Sequence, residues 1–334
     1  MNAGESLRVG IVGAGWIGRR HADTLAGRDD VVMAAVCDTD AGRAASVAAQ
    51  SGAQVFADWR AMLDGGRLDA VFVCTPPLGH AGPAVAALDL GLPVYLEKPV
   101  ARTVQDAALI VAAAERGRAV CAVGYQWRAI DALARLRAAL DGRTVGCLVG
   151  QSRGGTESRP WFLSKAAGGG NLLERGSHHI DLARAIAGEV VAVQAAETTV
   201  RLTPPEAREP GGDISDAVTM LLHFAGGGLG TIVVAWTSQN LPGSYWVEVT
   251  AADVSLRLDL DPHFRLSGVA AGSPVVAASQ GPPFERSVNR VLAAARAGDP
   301  DMVLVSPADA ARTLAVAVAA EEALRTGATI SVPS

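Results

Sequence analysis

The chain has 334 residues, 49% of them apolar and 19% charged, with a net charge of −5. That length is more than one core usually serves and predicts two domains. The mild acidity and the lack of any Lys/Arg-rich run exclude a nucleic-acid footprint, and no apolar run reaches the ~18 residues that a membrane span needs.

Residues 1–5 lead into a strand without a basic or apolar leader, so no secretory signal is read. Cys37, Cys74, Cys121 and Cys147 are scattered and never form C-x-x-C, which fits small core residues of a protein in a reducing cytoplasm.

The first 123 residues alternate strand and helix. Leu7–Val12 reads as an apolar strand and Trp16–Ala26 as a helix that opens just after glycines. Val31–Cys37 is a second strand, followed by an Ala-rich helix near Ala41–Gln50, a short strand at Gly52–Phe56 and a helical turn at Trp59–Leu63. Ala70–Cys74, Pro93–Leu96 and Ala119–Val123 are further short apolar runs, separated by helices around His80–Leu90 and Thr103–Arg116. Short, nearly continuous apolar strands between helices predict a parallel sheet covered on both faces.

The pattern then changes. Ile130–Leu140 reads as an amphipathic helix, Val145–Gly150 begins an alternating strand, and glycines 168, 169 and 170 precede a helix near Leu172–Ala187. Val191–Arg201, Ala217–Phe224, Gly230–Trp236, Tyr245–Thr250 and Val254–Asp259 read as antiparallel strands, with Ala225–Gly228 as a hairpin turn. Helices are expected around Phe284–Ala297 and at Pro307–Thr326, and Thr203–Asp213 as an exposed, mobile loop. The fold class is therefore α/β: an N-terminal doubly wound parallel sheet of Rossmann type (1–123), then a C-terminal α/β domain (124–334) with an open, mostly antiparallel sheet.

Gly13-Ala14-Gly15-Trp16-Ile17-Gly18 carries the G-x-G-x-x-G spacing after a strand and at a helix start, which is the context the motif requires. Gly13 permits the tight turn, Gly15 lets backbone approach a pyrophosphate, and Gly18 lets helix pack on strand. The diphosphate would lie over the helix N-terminus, at the N–H groups of Trp16, Ile17 and Gly18. Asp38 ends the second strand, about twenty residues on, where a carboxylate accepts from ribose hydroxyls and repels a 2′-phosphate, favouring NAD over NADP. Arg43, on the following helix, is expected to face solvent. Asp38 could instead, or also, cap that helix. Cys74-Thr75-Pro76-Pro77 forms a rigid turn at the carboxyl edge of the fourth strand, so Thr75 and Pro76 are candidate cofactor contacts. His80 reads equally as a cofactor contact or as a surface histidine at a helix start.

The fifth strand ends in Glu97-Lys98-Pro99. In open α/β sheets, ligands sit beyond the carboxyl ends of the strands, so Lys98 can reach both a nucleotide and its reaction partner. In the second half, Glu174, His178 and Asp181 occupy positions i, i+4 and i+7 of one predicted helix and would form a single polar stripe. Such a stripe suits a polar pocket; no further cluster at ligand spacing completes a metal shell, so no metal is expected.

Together the glycine fingerprint, Thr75-Pro76-Pro77, Glu97-Lys98-Pro99 and Gly168-Gly169-Gly170 through His178-x-x-Asp181 resemble the glucose–fructose oxidoreductase / inositol dehydrogenase family (Gfo/Idh/MocA), with motifs in family order along essentially the whole chain. The resemblance implies an NAD(P)-binding Rossmann domain and a second domain whose open sheet often joins subunits, hence a homodimer or homotetramer. It also implies a sugar or cyclitol substrate, oxidised or reduced at a ring hydroxyl or carbonyl. Lys98 matches the family lysine that touches cofactor and substrate, Glu97 the acid beside it and an expected cofactor contact, Pro99 a proline that can follow a cis peptide, and His178 the catalytic histidine. Gln126 matches a position near the nicotinamide, Arg128 lies in the same segment, and Trp161 falls in a segment lining the pocket; Arg128 and Trp161 are expected substrate contacts. The family usually has aspartate four residues before His178, whereas this chain has Glu174, which reaches about 1.5 Å further. Glu174 is expected beside Lys98 and His178 at the substrate, and Asp181 in a minor structural role. Two other readings stand beside a dehydrogenase: a glycosidase or lyase that uses NAD transiently, and a non-catalytic nucleotide and sugar sensor.

Overall fold

The computed structural model describes residues 6–155, 159–199, 213–237 and 241–333. The chain divides into two compact units, Met1–Gly124 with Glu285–Ala311, and Tyr125–Phe284 with Arg312–Ser334. The sequence reading assigned everything after residue 123 to the second domain. Residues 285–311 instead join the first unit, where the Val123 N–H donates to the Val305 carbonyl at 2.9 Å and Arg296 pairs with Asp30 at 2.9 Å. A returning segment of this kind carries no local signal, because its helix looks the same whichever unit it packs on.

In the first unit, β1 (Leu7–Val12), β2 (Val31–Cys37), β3 (Gln54–Phe56), β4 (Ala70–Val73), β5 (Val94–Leu96) and β6 (Cys121–Val123) form a parallel sheet in the order β3-β2-β1-β4-β5-β6. Helices α1 (Trp16–Ala26), α2 (Ala41–Ala48), α3 (Trp59–Gly65), α4 (Ala81–Asp89) and α5 (Val104–Gly117) connect the strands. All residues of β4, β5 and β6 are buried, as the continuous apolar runs predict for a sheet covered on both faces. Strand order reverses between β1 and β4, so the carboxyl ends of those strands form the switch point at which such sheets bind ligands.

The second unit begins near α6 (Asp131–Leu140) and contains β7 (Cys147–Gly155), α7 (Lys165–Gly168), α8 (Ser177–Ala187), β8 (Val190–Thr198), β9 (Ala217–Phe224), β10 (Leu229–Thr237), β11 (Ser244–Ala251), β12 (Val254–Asp259), β13 (Arg265–Ala270) and β14 (Ser273–Ala278). Two later helices, α9 (Pro283–Ala297) and α10 (Pro307–Thr326), precede β15 (Ile330–Ser331). Nine strands form a mixed sheet in the order β14-β13-β12-β11-β7-β10-β9-β8-β15, antiparallel except for the β7–β10 pair. One face is buried: Val218, Met220, Leu222 and Phe224 of β9 alternate with residues that are exposed or half-buried. Gly227, at φ +89°, closes the β9–β10 hairpin, and the Phe224 N–H donates to the Gly228 carbonyl at 2.9 Å.

The sequence reading did not anticipate β13 and β14, whose short runs are broken by Gly268 and Pro274. The expected loop at 203–212 lies outside the described residues. The helix expected at Leu172–Ala187 opens as a π-helix over Asn171–Gly176 before α8 continues regularly. Glu174 thus lies on a turn of i→i+5 bonds, while His178 and Asp181 lie on the regular helix that follows. The glycines before the π turn explain the local path. A Cβ on Gly169 (φ +78°) would lie 2.5 Å from Leu173, and one on Gly168 would lie 2.8 Å from the Trp161 carbonyl oxygen.

Candidate active site

The first unit supplies a nucleotide cradle. Gly13 takes φ +97°, and a Cβ there would lie 2.7 Å from the carbonyl carbon of Cys74. A Cβ on Gly18 would lie 1.9 Å from the Gly13 carbonyl oxygen, so α1 packs directly on the turn. Gly15 is different: nothing lies within 4 Å of its Cβ position. Gly15 also forms the N-cap of α1 without any side-chain hydrogen bond, which leaves the first-turn N–H groups for a ligand. At the end of β4, Thr75 Oγ1 is enclosed and has no hydrogen-bond partner among the described residues. Open backbone at a helix N-terminus and an orphaned hydroxyl beside it fit a dinucleotide. Trp16 is 61% exposed, as suits a residue at the mouth of such a cradle.

Asp38 lies where the ribose-recognising acid is expected. Ala14 N–H donates to its Oδ2 at 2.7 Å, and its Oδ1 accepts from Asp40 N–H at 2.8 Å and Arg43 Nη2 at 3.0 Å. Burial pushes the carboxyl upward, but the Asp40 and Ala14 amides and the Arg43 guanidinium together hold it below the usual range. Arg43 is exposed, as expected, and its guanidinium also reaches Asp38 Oδ1 and, at 3.8 Å, Asp40 Oδ2. The helix cap proposed for Asp38 belongs to Asp40, whose Oδ1 accepts from Arg43 N–H at 3.0 Å.

Lys98 follows β5 at its carboxyl end and is half-buried, with a cis peptide to Pro99. Glu97, expected to contact the cofactor, is buried. Its Oε1 lies 2.8 Å from Nε2 of His21, and its Oε2 accepts from the Lys98 N–H at 3.1 Å. Burial raises the Glu97 carboxyl, but His21 and then Lys98 bring it below its ordinary value. His80 is fully buried, which departs from the surface-histidine reading. Its Nδ1 lies 2.9 Å from the Pro99 carbonyl oxygen and its Nε2 lies 2.8 Å from that of Thr75, so protein carbonyls face both nitrogens. His21 escaped the sequence reading. Its signal was there: it shares the buried stripe of α1 with Gly18, Ala22 and Leu25, where an imidazole demands a partner.

The second unit carries the histidine site. After Tyr125, a 3-10 turn at Gln126–Ala129 presents Gln126 half-buried and Trp127 buried. The half-buried His178 ring packs against Trp127, with centroids 4.9 Å apart at 38°, and edge-on to Tyr125 at 5.8 Å. His179 is fully buried, edge-on to the same Trp127 at 4.9 Å. Of the two adjacent histidines, only His178 has surface for a substrate. Glu174 is half-buried on the π turn.

Asp181 is buried and takes a bidentate pair from Arg128, with Nε to Oδ2 at 2.7 Å and Nη2 to Oδ1 at 2.9 Å. Thr313 Oγ1 donates to Asp181 Oδ1 at 3.4 Å, and Arg184 Nη1 donates to Thr313 at 2.7 Å. Asp181 thus has the structural role expected of it, whereas the fork of Arg128, expected at the substrate, is largely occupied by that acid. Trp161 packs on the cluster of Phe162, Leu163, Ile214 and Trp236, with the Arg159 guanidinium 5.4 Å from its ring. No group of three or more metal-ligating side chains occurs among the described residues. No helix among them is long and apolar enough to cross a membrane.

Comparison with known proteins agrees with this geometry. Residues 7–125 match the oxidoreductase family model with the NAD-binding Rossmann fold, and residues 141–256 match the GFO/IDH/MocA C-terminal domain. Levoglucosan dehydrogenase of Pseudarthrobacter phenanthrenivorans is 26% identical over 265 residues, 68% of this chain and 67% of that protein. Inositol 2-dehydrogenase 1 of Saccharopolyspora erythraea is 37% identical over 145 residues, 42% of this chain and 43% of that protein. Among solved structures, a levoglucosan dehydrogenase in complex with NADH and levoglucosan superposes with a TM-score of 0.85 at 22% identity, covering 99% of this chain and 100% of that one, a likeness of fold. With both of its domain models matched in order, the chain belongs to the Gfo/Idh/MocA family of oxidoreductases.

Proposed function

We propose that the chain is an NAD-dependent dehydrogenase acting at a ring hydroxyl, or in reverse a ring carbonyl, of a sugar or inositol-like polyol. The observation that carries this reading is the placement of Lys98 at the carboxyl end of β5, half-buried, with its backbone N–H held by the buried Glu97. Gly13, Gly15, Trp16, Ile17 and Gly18 would hold the diphosphate, and Asp38 the ribose; Thr75, Pro76 and Gln126 would line the nicotinamide side. When bound, the nicotinamide supplies a hydride acceptor.

In this reading His178 takes the proton of the substrate hydroxyl and Lys98 stabilises the developing alkoxide. Positioned proton transfer of this kind contributes roughly 10²–10⁴-fold. Glu174 and Trp161 complete the substrate contacts. Arg128 contributes through Asp181, by fixing the start of α8 one turn beyond His178. NAD is preferred because Asp38 holds a carboxylate where a 2′-phosphate would lie. That relatives are named for levoglucosan and inositol supports the substrate class.

The reading extends to assembly and location. Val149, Leu229, Val269 and Val276 stand exposed on the face of the nine-stranded sheet opposite its buried residues, and that face would join copies into a homodimer or homotetramer. The protein would work in the cytoplasm, where its four cysteines, free here, stay reduced. The test is NADH absorbance with a panel of inositols, aldoses, anhydro-sugars and amino sugars, run with NAD⁺ and NADP⁺. Substrate-dependent NADH accumulation is expected. Product without NADH would identify a lyase, and binding without turnover would identify a sensor.

A further inference from the structure

Two buried histidines flank the segment that carries Lys98. On one side, His21 Nε2 lies 2.8 Å from Glu97 Oε1, and Glu97 Oε2 accepts the Lys98 N–H at 3.1 Å. On the other side, His80 Nδ1 lies 2.9 Å from the Pro99 carbonyl oxygen. The far ends of both arms are informative. His21 belongs to α1, the helix that closes the glycine turn, and the second nitrogen of His80 faces the Thr75 carbonyl at 2.8 Å.

Both imidazoles are 0% exposed and the carboxylate is 6% exposed, and each costs desolvation that an apolar residue in its place would avoid. A neutral imidazole also has a single N–H, so one ring facing two carbonyls is a demanding arrangement. The near ends of the two arms meet backbone at Lys98 or one residue from it, the Lys98 N–H through Glu97 and the Pro99 carbonyl through His80. The Gly124 Cβ position lies 3.2 Å from Glu97 Oε2, so the carboxylate is walled in as well as bonded. A lysine needs such a base: its four-carbon stem is flexible, and a misplacement of about 1 Å can cost about 10²-fold in rate.

We propose that His21, acting through Glu97, and His80 form a two-sided clamp that fixes the backbone of Lys98 to the two dinucleotide-binding turns. Both histidines are positioning residues for that lysine. The inference rests on the reading of Lys98 as a proton-handling residue.

The test compares wild type, His80→Leu, Lys98→Met and the double variant, with His21→Leu treated in the same way. NADH affinity is measured by fluorescence, kcat on the best substrate of the panel, and folding by thermal unfolding. His80→Leu is expected to lower kcat by about 10–100-fold while changing NADH affinity by less than about twofold. In the Lys98→Met background the same change should cost less than about twofold, because nothing remains to be positioned. His80→Gln, which keeps an N–H donor, should recover part of the rate; it carries the same comparison if the leucine variant fails to fold. Equal losses in the two backgrounds, or a loss of NADH affinity with kcat kept, would overturn the clamp alone. Full turnover by Lys98→Met would overturn the proposed function and the clamp with it.

Discussion

His179 offers a quantitative test of how the histidine site is built. Its ring is fully buried beside Trp127, and Gly150 makes room for it: a Cβ there would lie 3.1 Å from its Cδ2. Burial brings its pKa from 6.5 down to about 4, against the opposing pull of the Gln151 and Trp246 backbone. The unfolded chain therefore takes up a proton near pH 6.5 while the folded protein refuses it until about pH 4. In that window the unfolded state binds more protons, so stability falls as pH falls, and below it the loss levels off. At about 1.36 kcal/mol per unit, a window of some 2.5 units amounts to about 3 kcal/mol. Urea unfolding, followed by tryptophan fluorescence at pH values from 7 to 4, would measure it. The comparison is with His179→Gln, since other groups titrate in the same range and cancel in the difference. The stability advantage of wild type over the variant should shrink by about 3 kcal/mol across the window. Parallel curves for the two proteins would refute the reasoning, and would mean that His179 is solvated or holds its proton in the folded state.

Three further outcomes follow from the geometry. His178→Ala should lower kcat by roughly 10²–10⁴-fold with NADH affinity retained, measured by steady-state kinetics and fluorescence titration; a near-normal rate would leave Lys98 as the sole proton-handling group. Asp38→Ser should remove the repulsion toward a 2′-phosphate while leaving Arg43 beside the ribose, shifting the NADP⁺ to NAD⁺ ratio of kcat/KM upward by about tenfold or more; an unchanged ratio would show that Asp38 does not read the ribose. Arg128→Ala strands the buried Asp181 carboxylate and should cost about 3–5 kcal/mol of stability, visible as a lowered Tm. Arg128→Met with Asp181→Leu should recover much of that loss, because neither member of the pair is then left as an unpaired buried charge.

Much of the first unit was legible because its signals are local. Continuous apolar runs as short as Ala70–Val73, set between turn signals, suit strands covered on both faces, and Gly13, Gly15 and Gly18 each match a distinct steric demand of the turn. The second unit was legible where alternation is strong, as in β9, and failed at β13 and β14, where Gly268 and Pro274 interrupt short runs. The return of residues 285–311 to the first unit was invisible for a different reason: α9 is amphipathic in either setting, and only the partners of its apolar face differ. The π turn at Asn171–Gly176 was hidden because nothing in its residue types distinguishes a turn of i→i+5 bonds from an ordinary helix start.

At the candidate site, the motif locates residues better than it describes what they touch. Glu97 and His80 lie in segments that border the cradle, where a linear reading takes Glu97 as a cofactor contact and His80 as either a cofactor contact or a surface histidine. Their side chains turn inward instead, to His21 and to the carbonyls of Thr75 and Pro99. Arg128 shows the same thing in the second unit, where its fork closes on Asp181. Each of these is a strongly polar group beside a predicted strand or helix end, and sequence alone carries no information on which way such a group faces. Burial supplies it. A charged or imidazole side chain that is almost wholly enclosed must be satisfied by the protein, so its partner shows what it holds in place. By that criterion Glu97, His80, His21, Arg128 and Asp181 answer to partners within the protein, and the proposed function assigns the substrate to the half-buried Lys98, His178 and Glu174.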